Sequence, residues 1–211
     1  MAKNLAKELG YIYVDTGAMY RSVTLYALEN GMITEGIVNE EALKDSLKSI
    51  SITLKKDEAG NVAAYLNEKN VEDKIRSMEI SNNVSLISRL KFVREAMVRQ
   101  QQQMGKEKGI VMDGRDIGSV VFPDAELKIF LTASPEVRAQ RRMNELKEKG
   151  IEVSYQEVLN NLTERDQMDS TREESPLIQA PDALLLDNSD LSREAQQEWL
   201  INAYQKVVAT K

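Results

Sequence analysis

At 211 residues, 42% of them hydrophobic, the chain is long enough to bury one sizeable core, and one compact domain with appendages is expected. A formal net charge of −6 argues against duplex nucleic acid held by general attraction to phosphates, yet leaves room for a few arginines that take a small anion in one cleft. With no cysteine and no histidine, disulfides, thiolate metal sites, thiol nucleophiles, Ser-His-Asp hydrolysis and the common zinc chemistries are excluded.

Any catalysis must therefore rest on carboxylates, lysine, arginine, hydroxyls or a hard cation held by oxygen. No apolar run is long enough to cross a bilayer, and Lys3, Lys7 and Glu8 interrupt the apolar stretch that a signal peptide needs. The expected compartment is the cytoplasm, without a membrane partner.

Ala2, Leu5, Ala6 and Leu9 form one stripe of an amphipathic helix, and Gly10 sits where a left-handed stop is wanted. Tyr11–Val14 reads as a buried strand, and Asp15-Thr16-Gly17 turns the chain into a helix from about Ala18 to Glu29 that ends at Asn30-Gly31. Period-two alternation over Ser51–Leu54 and Val62–Leu66, around a charged turn at Asp57 to Asn61, predicts a small antiparallel hairpin inserted as a flap over about 50–75. Asn82–Lys108 is helical, broken near Ser88–Lys91 and ended by Gly109.

Two apolar strands follow, Ile110–Met112 and Leu127–Leu131. Ser134-Pro135 opens a helix with a cap and then proline at the first position, and Gly150 closes it. Ser154 and Glu157 have capping-box spacing for the next helix. A strand at Ala183–Leu186 and a helix from about Ser192 complete the chain. Short strands alternating with longer helices argue for an α/β domain with a mostly parallel sheet.

Three constellations carry potential chemistry. The turn Asp15-Thr-Gly-Ala-Met-Tyr-Arg21 follows a strand, where open α/β sheets bind ligands, and Arg21 could fork onto a phosphate; the plainer reading is a capped turn with a surface arginine. Asp113-Gly-Arg-Asp-Ile-Gly118 also follows a strand and sets Arg115 between Asp113 and Asp116, although a Gly/Asp-rich surface loop would look the same. The third is a run of arginines. Arg138, Arg141 and Arg142 share one helix, and Arg165, Asp166, Asp169 and Arg172 share the next, with Asp169 at i+4 from Arg165 and Arg172 at i+3 from Asp169. Solvated charge pairing would explain such a run, and so would a mobile lid over about 141–174 whose arginines meet phosphates.

These segments, with Val121-Phe-Pro-Asp-Ala125, Lys128-Ile-Phe-Leu131, Glu164-Arg165-Asp166 and Ser170-Thr-Arg172, occur in the order in which they stand in the bacterial cytidylate kinase family, which the chain resembles from end to end. The resemblance implies a P-loop nucleoside-monophosphate-kinase-like three-layer fold in one domain, acting as a monomer. It also implies ATP-dependent phosphorylation of CMP or dCMP with Mg2+. Matched by position, Thr16, Arg21 and Arg115 are expected at the acceptor's phosphate. Ser85, Arg94 and Asp116 are expected at cytosine, where an acid accepting from the exocyclic amine favours C over U. Arg165, Asp169 and Arg172 match residues around the ribose and the lid, with Asp169 suited to a sugar hydroxyl, and Arg142 is a weaker match for the ATP phosphates. Arg115, Arg165 and Arg142 are the residues expected to act on the transferring group, and no general base is required because the acceptor is already an anion.

The pattern G-x-x-x-x-G-K-[ST] that cradles ATP phosphates does not occur in the 211 residues; the nearest run, Gly105-Lys106-Glu107, falls late in a helix. The resemblance places Met1 after that loop and a first strand before it, so that Tyr11–Val14 is expected to be short of a neighbour. Three accounts remain open: a start assigned at an internal methionine of a longer protein, a real short form that binds CMP but not ATP, or a gap filled by another chain or a rearranged strand. The alternatives in function are a CMP-binding protein without catalysis and a kinase for UMP or AMP.

Overall fold

A computed structural model describes residues 1–56, 62–148 and 150–209. They form two compact units: Ala2 with the described residues of Ala6–Gly114, and Met1 with Lys3–Leu5 and the described residues from Arg115 onward.

Helix α1 (Ala2–Leu9) ends at Gly10 with φ +67°, the left-handed stop expected of it. In the first unit, strand β1 (Ile12–Asp15) lies one residue later than expected, because Asp15 both closes the strand and caps helix α2 (Thr16–Glu29). Asp15 Oδ1 accepts from the Ala18 amide at 2.9 Å, so the helix begins at Thr16 rather than at Ala18. Asn30 and Gly31 (φ +64°) end it as expected. β1 is paired in parallel with β7 (Ile110–Asp113) at all four positions, with Asp15 opposite Asp113.

α2 is buried on most of its circumference, which makes it the central element of this unit. Met19 and Val23 on it are fully buried, and burying such a side chain contributes roughly 1.5–3 kcal/mol. Its buried hydroxyls are satisfied locally, Ser22 donating to the Ala18 carbonyl and Thr24 to the Tyr20 carbonyl, each at 2.9 Å. Around it pack Ile80, Val84 and Ile87 of α4 (Met78–Ser88), Val93 and Met97 of α5 (Lys91–Met104), and Ile52, Ala64 and Leu66 of the insert.

That insert is an antiparallel sheet of β4 (Ile52–Lys56), β5 (Val62–Leu66) and β6 (Lys69–Asn70), followed by a 3₁₀ turn at Lys74–Arg76. Its first two strands were expected and the third was not; the charged turn expected at Asp57 to Asn61 lies outside the described residues. Between α2 and the insert lie a short hairpin, β2 (Ile33–Thr34) and β3 (Ile37–Val38), and helix α3 (Glu40–Ser46), which Asn39 caps at the Ala42 amide. The break between α4 and α5 falls at Arg89–Leu90, inside the expected window. α5 stops at Gly105 rather than Gly109; Gly109, at φ +61°, leads into β7.

The second unit holds β8 (Ile129–Thr132) and β9 (Leu184–Asp187), parallel and in register, with α6 (Pro135–Glu148), α7 (Tyr155–Thr171) and α8 (Arg193–Ala209). The expected caps are in place: Ser134 Oγ accepts from Val137 N and Ser154 Oγ from Glu157 N. Buried Lys128 anchors the start of β8, donating to both oxygens of Asp182 at 2.8 and 2.9 Å and to the Pro123 carbonyl. The fold is α/β with parallel strand pairs, helices and small antiparallel sheets, in keeping with the expected class.

Candidate functional site

In the first unit the polar groups gather at the carboxyl ends of β1 and β7, where parallel sheets offer ligands their binding crevice. Thr16 is buried and its hydroxyl donates to the Asp113 carbonyl at 2.6 Å, tying the turn after β1 to the end of β7. Tyr13 donates to Asp113 Oδ2 at 2.8 Å. Burial first, and then the negative charges of Asp113 and Asp15, push the Tyr13 phenol well above the ordinary tyrosine range. Arg21 points Nη1 at the Ile75 carbonyl (3.1 Å) and at Ser81 Oγ (3.0 Å), so its guanidinium plane is set by the turn before α4 and by α4 itself. Ser85, half-buried, follows Ser81 by one helical turn and shares its face. Arg94 is buried, donates to the Ser88 carbonyl at 2.9 Å and stacks 5.3 Å from the centre of the Tyr20 ring.

The second unit brings together residues far apart in sequence. Asp169, only 4% exposed, meets Arg115 Nε through Oδ2 and Arg172 Nη1 through Oδ1, both at 3.0 Å, and Arg165 Nε lies 3.8 Å from Oδ2. Three guanidinium groups therefore share one carboxylate. Burial, followed by repulsion from Arg115, lowers the Arg165 pKa against the pull of Asp169 and Asp166. Asp116 is buried at the head of the turn Ile117–Val121, its carbonyl accepting from the Val120 and Val121 amides.

Two helices carry the remaining arginines. Arg138 of α6 is ion-paired with Asp166 of α7. Arg141 grips Asn188, just after β9, through its side-chain oxygen at 2.9 Å and its carbonyl at 2.8 Å. Arg142 pairs with Glu145 along its own helix at 2.9 Å.

The family model for cytidylate kinase matches residues 1–206. The chain belongs to the cytidylate kinase family. Among similar proteins, the cytidylate kinase of Bacteroides thetaiotaomicron is 61% identical over 209 residues, covering 99% of this chain and 91% of that protein. The cytidylate kinase of Parabacteroides distasonis is 58% identical over 211 residues, with 100% and 92% covered, and that of Flavobacterium johnsoniae is 54% identical over 197 residues, with 93% and 86% covered. Among the described residues no helix is long and apolar enough to cross a membrane.

Within this family of kinase enzymes, the structure groups Arg165, Asp169 and Arg172 as the helical spacing anticipated. It adds Arg115, which stands between Asp113 and Asp116 in sequence but reaches across 54 positions to Asp169. Asp169, expected at a sugar hydroxyl, here has both oxygens engaged by arginines. Arg142 keeps the plainer pairing within its own helix. β1, expected to be short of a neighbour, is paired along its whole length with β7 in a sheet that has two strands among the described residues. Sequence reasoning missed Tyr13, Glu72 and Arg76; the i,i+4 spacing of Glu72 and Arg76 was the available signal, and surface ion pairs share it.

Proposed function

We propose that the chain phosphorylates CMP and dCMP with ATP. The bond between the β,γ-bridging oxygen and the γ-phosphorus of ATP breaks, a bond from the acceptor's phosphate oxygen to that phosphorus forms, and ADP leaves with CDP or dCDP. The observation that carries this reading is the convergence of Arg115, Arg165 and Arg172 on the buried Asp169 carboxylate. Phosphoryl transfer is served by positioning and by neutralising charge on equatorial oxygens, which a cluster of forked cations supplies without histidine or cysteine.

Arg115 and Arg165 are the residues proposed to act on the transferring group, with Arg142 at the donor's phosphates once Glu145 releases it. Thr16 and Arg21 serve the acceptor's phosphate, as does Arg115. Ser85 and Arg94 serve the base, and the Asp116 carboxylate accepts from cytosine's exocyclic amine, a contact that uracil's carbonyl cannot return. Arg172 and Asp169 serve the sugar side, Asp169 exchanging one arginine for a sugar hydroxyl.

Mg2+ accompanies ATP in this reading. Among the described residues no three acidic side chains converge as a metal site, so these residues do not furnish its cage, and no step is assigned to it.

Calorimetric titration with CMP, dCMP, UMP and AMP tests the acceptor assignment. CMP and dCMP are expected to bind at least about 10-fold tighter than UMP, and Arg21→Ala or Arg115→Ala to weaken CMP by about 10- to 100-fold, the range of one charge-assisted contact. A preference for UMP, or unchanged affinity in both variants, rejects it. CDP formation from CMP and ATP tests the transfer itself; CMP binding with no CDP formed rejects it in favour of CMP binding without catalysis.

A further inference from the structure

Arg76 closes the 3₁₀ turn Lys74–Arg76 and belongs to none of the motifs that mark the acceptor side. It lies between two carboxylates. Nη2 is 2.8 Å from Asp15 Oδ2 and 2.7 Å from Glu72 Oε1, and Nε donates to the same Glu72 oxygen at 2.8 Å. Each carboxylate uses its other oxygen on a different element. Asp15 Oδ1 caps α2 at the Ala18 amide (2.9 Å), and Glu72 Oε2 accepts from the Ala64 amide of β5 (3.0 Å). A continuous path of charge-assisted bonds thus runs from the insert's middle strand, through Glu72, Arg76 and Asp15, to the first turn of α2.

The residue before Arg76 acts on the same helix one turn further on. Ile75, fully buried, gives its carbonyl to Arg21 Nη1 at 3.1 Å. One short turn therefore holds both ends of the segment Thr16–Arg21: its start through Asp15 and its end through the backbone of Ile75. Anchoring by a buried isoleucine and a forked arginine leaves that segment little freedom to slide along α4.

Charge decides what kind of role this is. A single guanidinium faces two carboxylates, so Arg76 has no surplus charge to offer a phosphate, unlike the group around Asp169. Burial opposes its charge, but Asp15 and then Glu72 outweigh burial and raise its pKa above the ordinary arginine value. Like arginines generally, it is a cation throughout the neutral pH range.

We infer that Arg76 is a positioning residue for the acceptor nucleotide: it locks the three-stranded insert to the β1–α2 turn and thereby fixes Thr16 and Arg21 in the geometry that receives the acceptor's phosphate. This rests on the acceptor reading above. Lysine at 76 would keep the charge but, as a point donor, could not span both carboxylates as a fork does.

The test is a calorimetric CMP titration of the wild type, Arg76→Ala, Arg76→Lys, Arg21→Lys and the double variant carrying Arg76→Ala with Arg21→Lys. Arg76→Ala is expected to weaken CMP about 10-fold, and Arg76→Lys to recover part of the loss. With Arg21 already replaced, Arg76→Ala should cost clearly less than in the wild type, because one of the two side chains it positions is gone. A purely structural loss would cost the same in both backgrounds, and that result, or unchanged affinity in Arg76→Ala, overturns the inference. Should Arg76→Ala not fold, Arg76→Lys measured with and without Arg21→Lys makes the same comparison. A wild type that binds no CMP rejects the acceptor reading together with this inference; a wild type that binds CMP with additive losses rejects the inference alone.

Discussion

Around α2 the cations are matched by acceptors. Arg76 meets two carboxylates, Arg21 meets a carbonyl and a hydroxyl, and the hydroxyls of Thr16 and Tyr13 end on Asp113. Around Asp169 the balance is reversed, with three guanidinium groups converging on one carboxylate that is 4% exposed. Both regions use arginine and aspartate at hydrogen-bonding distance, so a tally of ion pairs would not separate them. Their balance does. A matched network holds a shape, whereas a surplus of buried cation is held at a cost until an anion arrives.

The largest effect should come from removing the carboxylate on which the three arginines converge. Asp169→Asn removes the charge that Arg115, Arg165 and Arg172 share, and is expected to destabilise the protein by about 2–3 kcal/mol, somewhat below a fully buried pair because Arg115 is 39% exposed. Urea denaturation with and without phosphate measures this. Phosphate should restore more stability to the variant than it adds to the wild type, since it supplies the missing charge. Equal stabilisation of the two proteins would contradict the surplus.

The same contrast explains what could be read in the sequence. Elements ended by local chemistry were legible: Gly10 after α1, Ser134-Pro135 before α6 and Ser154 before α7 all act within a few residues. The Arg165, Asp169 and Arg172 grouping was legible too, because helical spacing alone places those residues on one face. Arg115 with Asp169 and Arg76 with Asp15 were not, since tertiary packing joins residues 54 and 61 positions apart. The hairpin of β2 and β3 was hidden for another reason. Its turn needs φ > 0 at two positions and fills the first with Glu35 (φ 50°), which carries none of the usual turn signal. α4 was expected to start at Asn82, but Ser77 caps it at the Ile80 amide and it begins at Met78.

An intermediate effect is expected in the matched region. Tyr13→Phe deletes the hydrogen bond to Asp113 and should cost about 1 kcal/mol near neutral pH. The wild-type Tyr13 pKa is raised on folding, so the folded protein holds that proton more tightly than the unfolded chain does. Its contribution is fully present below the unfolded value of about 10 and is lost as pH rises toward the folded one. The wild type should therefore lose stability above about pH 10 more steeply than Tyr13→Phe. Parallel alkaline limbs in the two proteins would show that Tyr13 is not held neutral by its surroundings.

The smallest effect should be at Arg142, and it separates a surplus arginine from an ordinary one. Its partner Glu145 is three residues on along the same helix and 47% exposed, so solvent screens the pair and the helix already holds the backbone that carries it. Arg142→Ala is expected to change stability by less than about 0.5 kcal/mol, and inorganic phosphate, unlike ATP, should stabilise the variant as much as the wild type in the same urea experiment, because Glu145 holds Arg142 until the donor binds. Arginine density alone would predict otherwise, because Arg142 stands in the same run of the chain as Arg138 and Arg165. A loss of phosphate response in Arg142→Ala would mean that the surplus extends onto α6 and that the boundary drawn around Asp169 is too tight.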